Sequence, residues 1–330
     1  MVKVSVIATV RNEAGPIRHL LDSLLSQRRS PDEVIIVDGG STDATVDVLD
    51  EYARHSGLPL RVMVEPGCNI AEGRNRAIAA ASSEVIASTD AGVRFDETWL
   101  QHLVAPFEQS DRAPDVACGF FVPDPLSVFE VAMGATVLPK VEEIDPERFF
   151  PSSRSAAFRR SAWEAVGGYP EWMSFSEDLL FDMALKAAGF RFVFVPEAVV
   201  WFRPRSSLGA FWRQYRNYAM GDGEGLLWTG RHLIRYATYL VLTPGLGLMG
   251  AFWSPGWWGL VGLGLAVYLR RPYERLAGMV SGLTPRERLK AALWVPVIRV
   301  WGDLAKMVGY PIGLPRGIRQ RGRTRAYLRR

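Results

Sequence analysis

Three short segments near the start of the chain collect side chains that are able to bind a ligand. Residues 9–13 read TVRNE, residues 38–43 read DGGSTD and residues 90–92 read DAG, each just after an apolar run. Hydroxyl, guanidinium and carboxylate groups at such points suit a ligand that carries a ribose, a phosphate or a divalent cation. Turns and helix caps use the same residue types, so each segment alone leaves both interpretations open.

The first two segments offer five candidate contacts to one ligand. Asp38 is placed to accept hydrogen bonds from a base or a ribose, and Gly40 lets the backbone turn closely around a ligand. Thr9, Arg11 and Glu13 bring a hydroxyl, a cation and a carboxylate to the neighbouring strand end. Together they predict a polar crevice between two adjacent strands.

Four further charged residues have a chemical interpretation and a structural one. Arg74 is able to neutralise a phosphate or to start a solvated helix, and Asp90 is able to bind a ribose or a divalent cation or to form a turn. Glu177 and Asp178 suit the first turn of a helix because the helix dipole favours acids there. An acceptor hydroxyl also needs one carboxylate base, which this pair supplies.

Alternating apolar runs and amphipathic stretches predict an α/β fold in which these residues lie at one sheet edge. Helical spacing alternates with continuous apolar runs, which is typical of parallel strands that are buried on both faces. Ligands of such sheets bind outside the carboxyl ends of the strands. The predicted strands are 4–8, 34–37, 60–64, 85–88 and 116–122, and the predicted helices between them are 18–27, 46–53 and 74–81.

Composition excludes several classes of protein. The 330 residues are 48% apolar with a formal charge of +4, which is ordinary for a globular chain. Two cysteines and four histidines lack the spacing of a disulfide framework, a zinc site or a nucleophilic triad, so we expect a reducing compartment. The N-terminus has no signal peptide pattern, and no motif indicates nucleic acid as a partner.

The C-terminal part has a different composition. Residues 236–269 include no charged side chain, and SPG at 254–256 interrupts them. As one helix they would reach about 50 Å, beyond a hydrocarbon core of roughly 30 Å, so we expect a membrane-embedded helical hairpin. Flanking arginines favour a cytoplasmic position for both ends, and residues 293–304 and the basic tail 316–330 suit the headgroup region. A hairpin packed on the soluble domain or in an oligomer is the alternative.

Several segments taken together resemble the family-two glycosyltransferases over about residues 1–220. The resemblance implies an A-type (GT-A, Rossmann-like) nucleotide-diphospho-sugar domain. In that domain Thr9, Arg11, Glu13, Asp38 and Arg74 surround the nucleotide. The segments are VSVIATVRNE at 4–13, EVIIVDGGSTD at 33–43, GRN at 73–75, AFRR at 157–160, GGY at 167–169 and SED at 176–178.

The same resemblance assigns the remaining roles. It implies Asp178 as the general base, and the segment RQYRNY places Arg213 and Arg216 near the diphosphate. The family usually carries Asp-x-Asp for its metal, whereas this chain has Asp90 followed by alanine and glycine. Binding of Mg²⁺ or Mn²⁺ is therefore expected through Asp90 without a second carboxylate.

The expected function is inverting transfer of a sugar from a nucleoside diphosphate sugar to an acceptor hydroxyl of a lipid-linked or cell-envelope glycan. Alternatives are a polyprenyl-phosphate sugar synthase, an inactive nucleotide-sugar-binding protein and a membrane-attached scaffold. We expect residues 1–220 to form the catalytic domain on the cytoplasmic face of the cell membrane. Residues 221–330 would form the membrane-associated hairpin, amphipathic helix and basic tail.

Overall fold

A computed structural model describes residues 1–108 and 113–329 and divides the chain into two compact units. We call the first the sheet unit, which comprises Met1–Val122, Val141–Phe202 and Gly322–Arg330. The second, the helical unit, comprises Pro123–Lys140 and Arg203–Arg321.

Eight strands form one mixed sheet in the order β3-β2-β1-β4-β7-β6-β8-β5. The β1–β2, β2–β3 and β1–β4 pairs are parallel, whereas β4–β7, β6–β7 and β5–β8 are antiparallel. The expectation of a mainly parallel sheet therefore holds for one half only, because the strands after residue 90 pair across long connections. The strands are β1 (Val4–Val10), β2 (Glu33–Asp38), β3 (Leu60–Val64), β4 (Val85–Thr89), β5 (Val93–Phe95), β6 (Val116–Pro123), β7 (Ala156–Arg159) and β8 (Phe192–Phe202).

Twelve α-helices in the described ranges accompany the sheet or build the helical unit. They are α1 (Pro16–Leu25), α2 (Thr45–His55), α3 (Ile70–Ala80), α4 (Trp99–Val104), α5 (Val128–Val137), α6 (Arg160–Val166), α7 (Glu177–Ala187), α8 (Leu208–Gly225), α9 (Thr229–Ala237), α10 (Thr243–Phe252), α11 (Trp257–Met279) and α12 (Pro285–Tyr327). Short 3-10 helices span Ala105–Glu108 and Val141–Glu143, and a π-helical segment spans Thr238–Leu242.

The predicted strands and helices of the first 90 residues are confirmed, with shifted ends. The sequence VSVIATV of β1 is buried along nearly its whole length, as expected for a strand covered on both faces. Helix α3 begins at Ile70, four residues before the predicted start. Asn69 and Glu72 form a capping box that supplies the first turn with hydrogen-bond partners.

Close contact through glycines joins α8 and α12 within the helical unit. A Cβ atom at Gly309 would lie 2.0 Å from the Arg216 carbonyl oxygen, and one at Gly313 would lie 1.9 Å from that of Met220. Only glycine permits this approach of the two backbones. Helix α12 runs through Pro296 and on to Tyr327, so the tail that we described by composition alone is largely helical.

Helices α10 and α11 flank the predicted chain break at residues 254–256. The two helices pack together, because Gly250 leaves room for the Trp258 indole; a Cβ at Gly250 would meet Trp258 Nε1 at 2.6 Å. None of the helices within 1–108 and 113–329 is long and apolar enough to cross a membrane, so the membrane-embedded hairpin is not confirmed.

Candidate functional site

The carboxyl ends of three neighbouring strands bring predicted site residues to one edge of the sheet. Val10 of β1 pairs with Asp38 of β2, and Ala8 of β1 pairs with Thr89, after which Asp90 leaves β4. Thr9 lies between these two pairings. These residues therefore lie at neighbouring strand ends, as expected, and the shared crevice itself stays a prediction.

Hydrogen bonds join the two loops that leave β1 and β2. The Asn12 amide donates to Ser41 Oγ and the Glu13 amide to Thr45 Oγ1, both at 2.8 Å. The Thr42 amide donates in return to Asn12 Oδ1 at 2.8 Å. Asn12 adopts a left-handed conformation with φ of 56°, which these contacts stabilise. The two loops are therefore held together by side-chain hydrogen bonds.

Asp38 is buried, and its carboxylate organises the turn that follows β2. Its Oδ1 accepts hydrogen bonds from the Gly40 amide at 2.9 Å and the Ser41 amide at 2.8 Å, and its Oδ2 accepts from Ser41 Oγ. Gly40 has φ of +88°, and a Cβ there would lie 3.1 Å from Pro66 Cα. These contacts match the turn interpretation, and a nucleotide contact of Asp38 and Gly40 stays a prediction.

Thr9 faces α3 across a contact that requires a glycine. A Cβ at Gly73 would lie 2.4 Å from Thr9 Cγ2, and Thr9 Oγ1 is buried with no hydrogen-bond partner among the described residues. Arg11 is exposed and Glu13 half-buried on the neighbouring loop. Contacts of Thr9, Arg11 and Glu13 with a nucleotide stay predictions.

Arg74 on α3 connects two carboxylates that are distant in the sequence. Its side chain is only 2% exposed. Its Nη1 donates to Glu177 Oε1 at 2.6 Å, and its Nη2 donates to Asp90 Oδ1 at 2.9 Å. The solvated helix start is therefore the wrong interpretation of Arg74, because the capping box begins α3 one turn earlier and turns this side chain inward.

Burial and the neighbouring opposite charges shift the pKa values of this ion-pair network in opposite directions. Burial alone would lower the pKa of the Arg74 guanidinium, but the charges of Glu177 and Asp90 outweigh it and leave that pKa raised. Burial, and after it the charge of Asp178, raises the pKa of Glu177 to about 6 despite the nearby Arg74. Two carboxylates, Glu177 and Asp90, thus pair with one buried cation, and the charge of Asp178 acts on both Arg74 and Glu177 from nearby.

Asp178 is the more accessible acid of the α7 N-terminus. It is half-buried while Glu177 is buried, and its Oδ1 accepts a hydrogen bond from the Leu179 amide at 2.8 Å. Ser176, just before them, has φ of 60°, a conformation that non-glycine residues rarely adopt and that is frequent at functional sites. Asp178 is therefore the more solvent-accessible of the two acids, and Glu177 is the one that pairs with Arg74.

A third acid of α7 was missed in the sequence. Asp182 lies four residues after Asp178 and thus on the same helix face. Its Oδ2 is buried without a hydrogen-bond partner in the described part of the chain. Burial, followed by the charge of Asp178, holds the pKa of Asp182 well above its ordinary value. The sequence does contain a signal for Asp182, because it is an acidic residue within the otherwise apolar stretch of α7.

Two other residues of the network had no assigned role in the sequence. Arg154 Nε lies 3.5 Å from Asp90 Oδ2, and its guanidinium covers the Phe202 ring at 4.5 Å. The Tyr169 ring lies 5.4 Å from the Arg74 guanidinium carbon. No local pattern marks Arg154, because its approach to Asp90 depends on the antiparallel pairing of β4 with β7.

Asn75 holds Tyr169 beside Arg74. Its Nδ2 donates to the Tyr169 carbonyl at 2.9 Å, and its Oδ1 accepts from the Tyr169 amide at 2.8 Å. The Tyr327 hydroxyl donates to the Gly168 carbonyl, and Arg323 stacks on the Trp172 ring at 4.3 Å. Part of the basic tail therefore packs within the sheet unit.

Arg213 and Arg216 lie on α8 in the helical unit. Arg213 is exposed, and Arg216 is half-buried, with its Nη2 donating to Asn217 Oδ1 at 3.2 Å. Their predicted contact with a diphosphate stays a prediction.

Asp90 is the one residue that the sequence assigned to a metal. Its two oxygens face Arg74 and Arg154, and residues 1–108 and 113–329 contain no group of three His, Cys, Asp or Glu side chains that could hold a metal ion. Magnesium is commonly bound by one or two protein carboxylates together with substrate phosphates. A divalent ion at Asp90 would have to take its other ligands from a bound diphosphate, and it stays a prediction.

Comparison with known protein families decides the class of this chain. The description "Glycosyl transferase family 2" matches residues 5–167, and "Glycosyl transferase family group 2" matches residues 130–301. The chain belongs to the family-two glycosyltransferases. Residues 5–167 of this glycosyltransferase include the strand ends and Arg74, and residues 130–301 include Glu177 and Asp178.

This glycosyltransferase is similar to proteins of bacterial and archaeal origin. The O-antigen chain rhamnosyltransferase RfbN of Salmonella typhimurium is 27% identical over 210 residues, which are 60% of this chain and 65% of RfbN. The chain thus spans less than two thirds of that relative's length.

Solved structures of similar fold include the mannosyltransferase PcManGT from Pyrobaculum calidifontis in complex with GDP-Man and Mn²⁺. It is 20% identical, with a TM-score of 0.63 over 94% of this chain and 87% of that one. TarS of S. aureus in complex with UDP-GlcNAc is 18% identical, with a TM-score of 0.52 over 97% of this chain and 92% of that one. At these identities the similarity shows the GT-A-like fold.

Proposed function

We propose that this glycosyltransferase transfers a sugar from a nucleoside diphosphate sugar to a hydroxyl group of a cell-envelope glycan, with inversion at the anomeric carbon. One observation carries the proposal. The buried Arg74 joins Asp90, at the carboxyl end of β4, to Glu177, which precedes the accessible Asp178. This arrangement supports a donor-binding edge at Asp90 with the proposed base, Asp178, next to the network.

The comparisons support the classes of donor and acceptor. The two structural neighbours hold GDP-Man and UDP-GlcNAc, both nucleoside diphosphate sugars. RfbN is named for the O-antigen chain, a glycan of the cell envelope. We therefore propose that this chain also uses a nucleotide-sugar donor and an envelope glycan acceptor, either free or lipid-linked.

In the proposed reaction Asp178 removes the proton from the acceptor hydroxyl as the oxygen attacks the anomeric carbon. The bond from that carbon to the diphosphate breaks, and its electron pair leaves with the nucleoside diphosphate. Glu177 is ionised above about pH 6 and shares Arg74 with Asp90, so the network keeps its charge at neutral pH. Bound Mg²⁺ or Mn²⁺, with Asp90 as the protein ligand, would offset the charge of the diphosphate.

A panel of nucleoside diphosphate sugars tests the proposed activity. Release of nucleoside diphosphate is measured for each donor with and without membrane lipid extract as the acceptor source. We expect release with one or a few donors and stimulation by the extract. Measurable binding of nucleotide, without release from any donor and with or without extract, would instead favour a binding protein.

Removal of divalent cations is expected to abolish turnover, and Mg²⁺ or Mn²⁺ is expected to restore it. Asp90→Ala should weaken metal and donor binding at least tenfold, because Asp90 is the only protein carboxylate assigned to the ion. Donor affinity at varied Mn²⁺ concentration measures both effects, with exposed Asp47→Asn on α2 as the control variant. Full turnover in chelator would assign stabilisation of the leaving group to arginines instead.

We further propose that the helical unit attaches the enzyme to the cytoplasmic face of the cell membrane. Residues 236–269 have no charged side chain, and their apolar side chains lie largely outside the core. Phe252 is 86% and Trp253 79% exposed, and Val241 and Val267 are similarly accessible. Arginines flank the segment on both sides, which suits anionic headgroups.

Replacing Phe252 and Trp253 together by serine is expected to move most of the enzyme from the membrane pellet to the soluble fraction. The expected loss of membrane affinity is about tenfold or more, because two large apolar side chains no longer partition into lipid. Cell fractionation with a high-salt wash measures it, and Leu25→Ser, at an exposed apolar position of α1, is the matched control. Wild-type enzyme found entirely in the soluble fraction would contradict the attachment.

A further inference from the structure

The helical unit contains a cluster of charged groups among its apolar helices. Arg299, Asp303 and Lys306 follow one another at spacings of four and three residues, so they share one face of α12. Arg235 of α9 completes the cluster, and His232 connects it to Asp222. Three cations thus accompany the two carboxylates of Asp303 and Asp222, which leaves a net positive charge.

Asp303 is already saturated by other groups. Its Oδ1 accepts a hydrogen bond from Arg235 Nε at 2.8 Å. Its Oδ2 accepts from the hydroxyl groups of Tyr268 at 2.5 Å and Tyr239 at 3.2 Å. The Asp303 carboxylate is therefore hydrogen-bonded to α9, α11 and the π-helical segment, while its charge still acts on Lys306.

The two cations beside Asp303 lie against aromatic rings. The Arg299 guanidinium carbon is 4.8 Å from the centre of the Tyr268 ring, and the Lys306 ammonium is 4.9 Å from that of Tyr215. Arg299 Nε is buried and has no hydrogen-bond partner in the described part of the chain. A buried polar donor without a partner is costly, so an acceptor from outside the protein is expected.

The electrostatics of Lys306 agree with this geometry. Burial lowers the pKa of Lys306 to about 8, and although the charge of Asp303 opposes this, those of Arg235 and Arg299 add to it. The ammonium group therefore remains charged at neutral pH in surroundings that disfavour a cation. A bound anion would offset both the burial and the repulsion between the cations.

We propose that Arg299 and Lys306 form a site for a phosphate monoester, of the kind that a phosphorylated lipid carries. Arginine and lysine are the side chains that recognise phosphate oxygens in proteins. The same unit exposes the apolar side chains of α10 and α11, which suit the hydrocarbon part of such a lipid. The proposed phosphate site is argued from the contacts of the helical unit alone and does not depend on the proposed sugar transfer.

Phosphate binding to the full chain is measured by thermal shift and calorimetry, with inorganic phosphate as the first probe and no donor present. We expect phosphate to raise the melting temperature of the wild type. Binding should weaken at least tenfold in the double variant Arg299→Gln/Lys306→Gln. The matched control, Arg286→Gln/Lys290→Gln, removes two exposed charges of the same helix and should bind phosphate as the wild type does.

Vesicles then distinguish the source of the phosphate group. Phosphatidylcholine vesicles with added phosphatidic acid should bind the wild type more tightly than phosphatidylcholine alone, and the double variant should lose this preference. Binding of inorganic phosphate without such a preference would overturn the lipid as its source. Equal phosphate binding by the wild type and the double variant, or none by either, would overturn the site.

Two measurements separate a ligand site from a structural role. Without phosphate, the double variant should melt no lower than the wild type, because the substitutions remove the burial of the Lys306 charge and its repulsion with Arg235 and Arg299. Lys306→Arg keeps the charge and should retain phosphate binding within about threefold. A lower melting temperature of the double variant, together with unchanged phosphate binding by Lys306→Gln alone, would assign these cations to folding.

Discussion

Asp178→Asn is expected to reduce turnover by about two orders of magnitude or more while leaving donor affinity nearly unchanged. Asparagine keeps the shape of the side chain but cannot take a proton from the acceptor hydroxyl. Asp178 is half-buried and stands outside the ion pairs of Arg74, so its loss should leave the network intact. Steady-state kinetics with the acceptor, together with calorimetry of nucleotide binding, measure the two effects.

The control for Asp178 is Asp47→Asn, which also removes an acid from the first turn of a helix. It should retain near wild-type turnover. This result would show that losing an acid from the first turn of a helix does not by itself reduce turnover through the helix dipole. Turnover of Asp178→Asn within about threefold of the wild type would reject the base assignment. A tenfold or greater loss of nucleotide affinity would instead give Asp178 a binding role.

Arg74→Gln is expected to lower the free energy of unfolding by about 3–5 kcal/mol and to abolish detectable turnover. The side chain is 2% exposed and bonds to both Glu177 and Asp90, so its removal leaves the Glu177 carboxylate buried without a countercharge. Denaturant unfolding measures the loss. A change below about 1 kcal/mol would contradict the structural importance of the network.

Two further variants separate the causes of that loss. Arg74→Gln/Glu177→Gln should recover about 1–3 kcal/mol of the lost stability, because the unpaired buried charge is removed, but not the turnover. Arg54→Gln is the control, since its ion pair with Asp50 is 67% and 45% exposed and should contribute less than about 1 kcal/mol. Equal stability of Arg74→Gln and Arg74→Gln/Glu177→Gln would mean that Glu177 carries no uncompensated charge in the Arg74→Gln variant.

The sequence by itself determined the first half of the sheet and the edge at which the candidate site residues lie. Continuous apolar runs predict buried strands wherever both faces are covered, and β1, β2 and β4 satisfy this condition. Strand β3 lies at the sheet edge and is partly exposed. Their parallel order follows from the helices between them, and it brings Thr9, Asp38 and Asp90 to one edge. The ends of α3 were misplaced because a capping box, and not apolar periodicity, sets where that helix begins.

The tertiary structure alone decided which charges meet. Arg74 and Glu177 are 103 residues apart, and Arg154 reaches Asp90 through an antiparallel strand pair that periodicity does not predict. Local sequence shows an acid at a helix start but not its counterion, because long-range pairing depends on strand order. The same holds for the helical unit. Its composition indicates an apolar segment, but only the tertiary structure shows the glycine contacts between α8 and α12 and the groups that hydrogen-bond to Asp303.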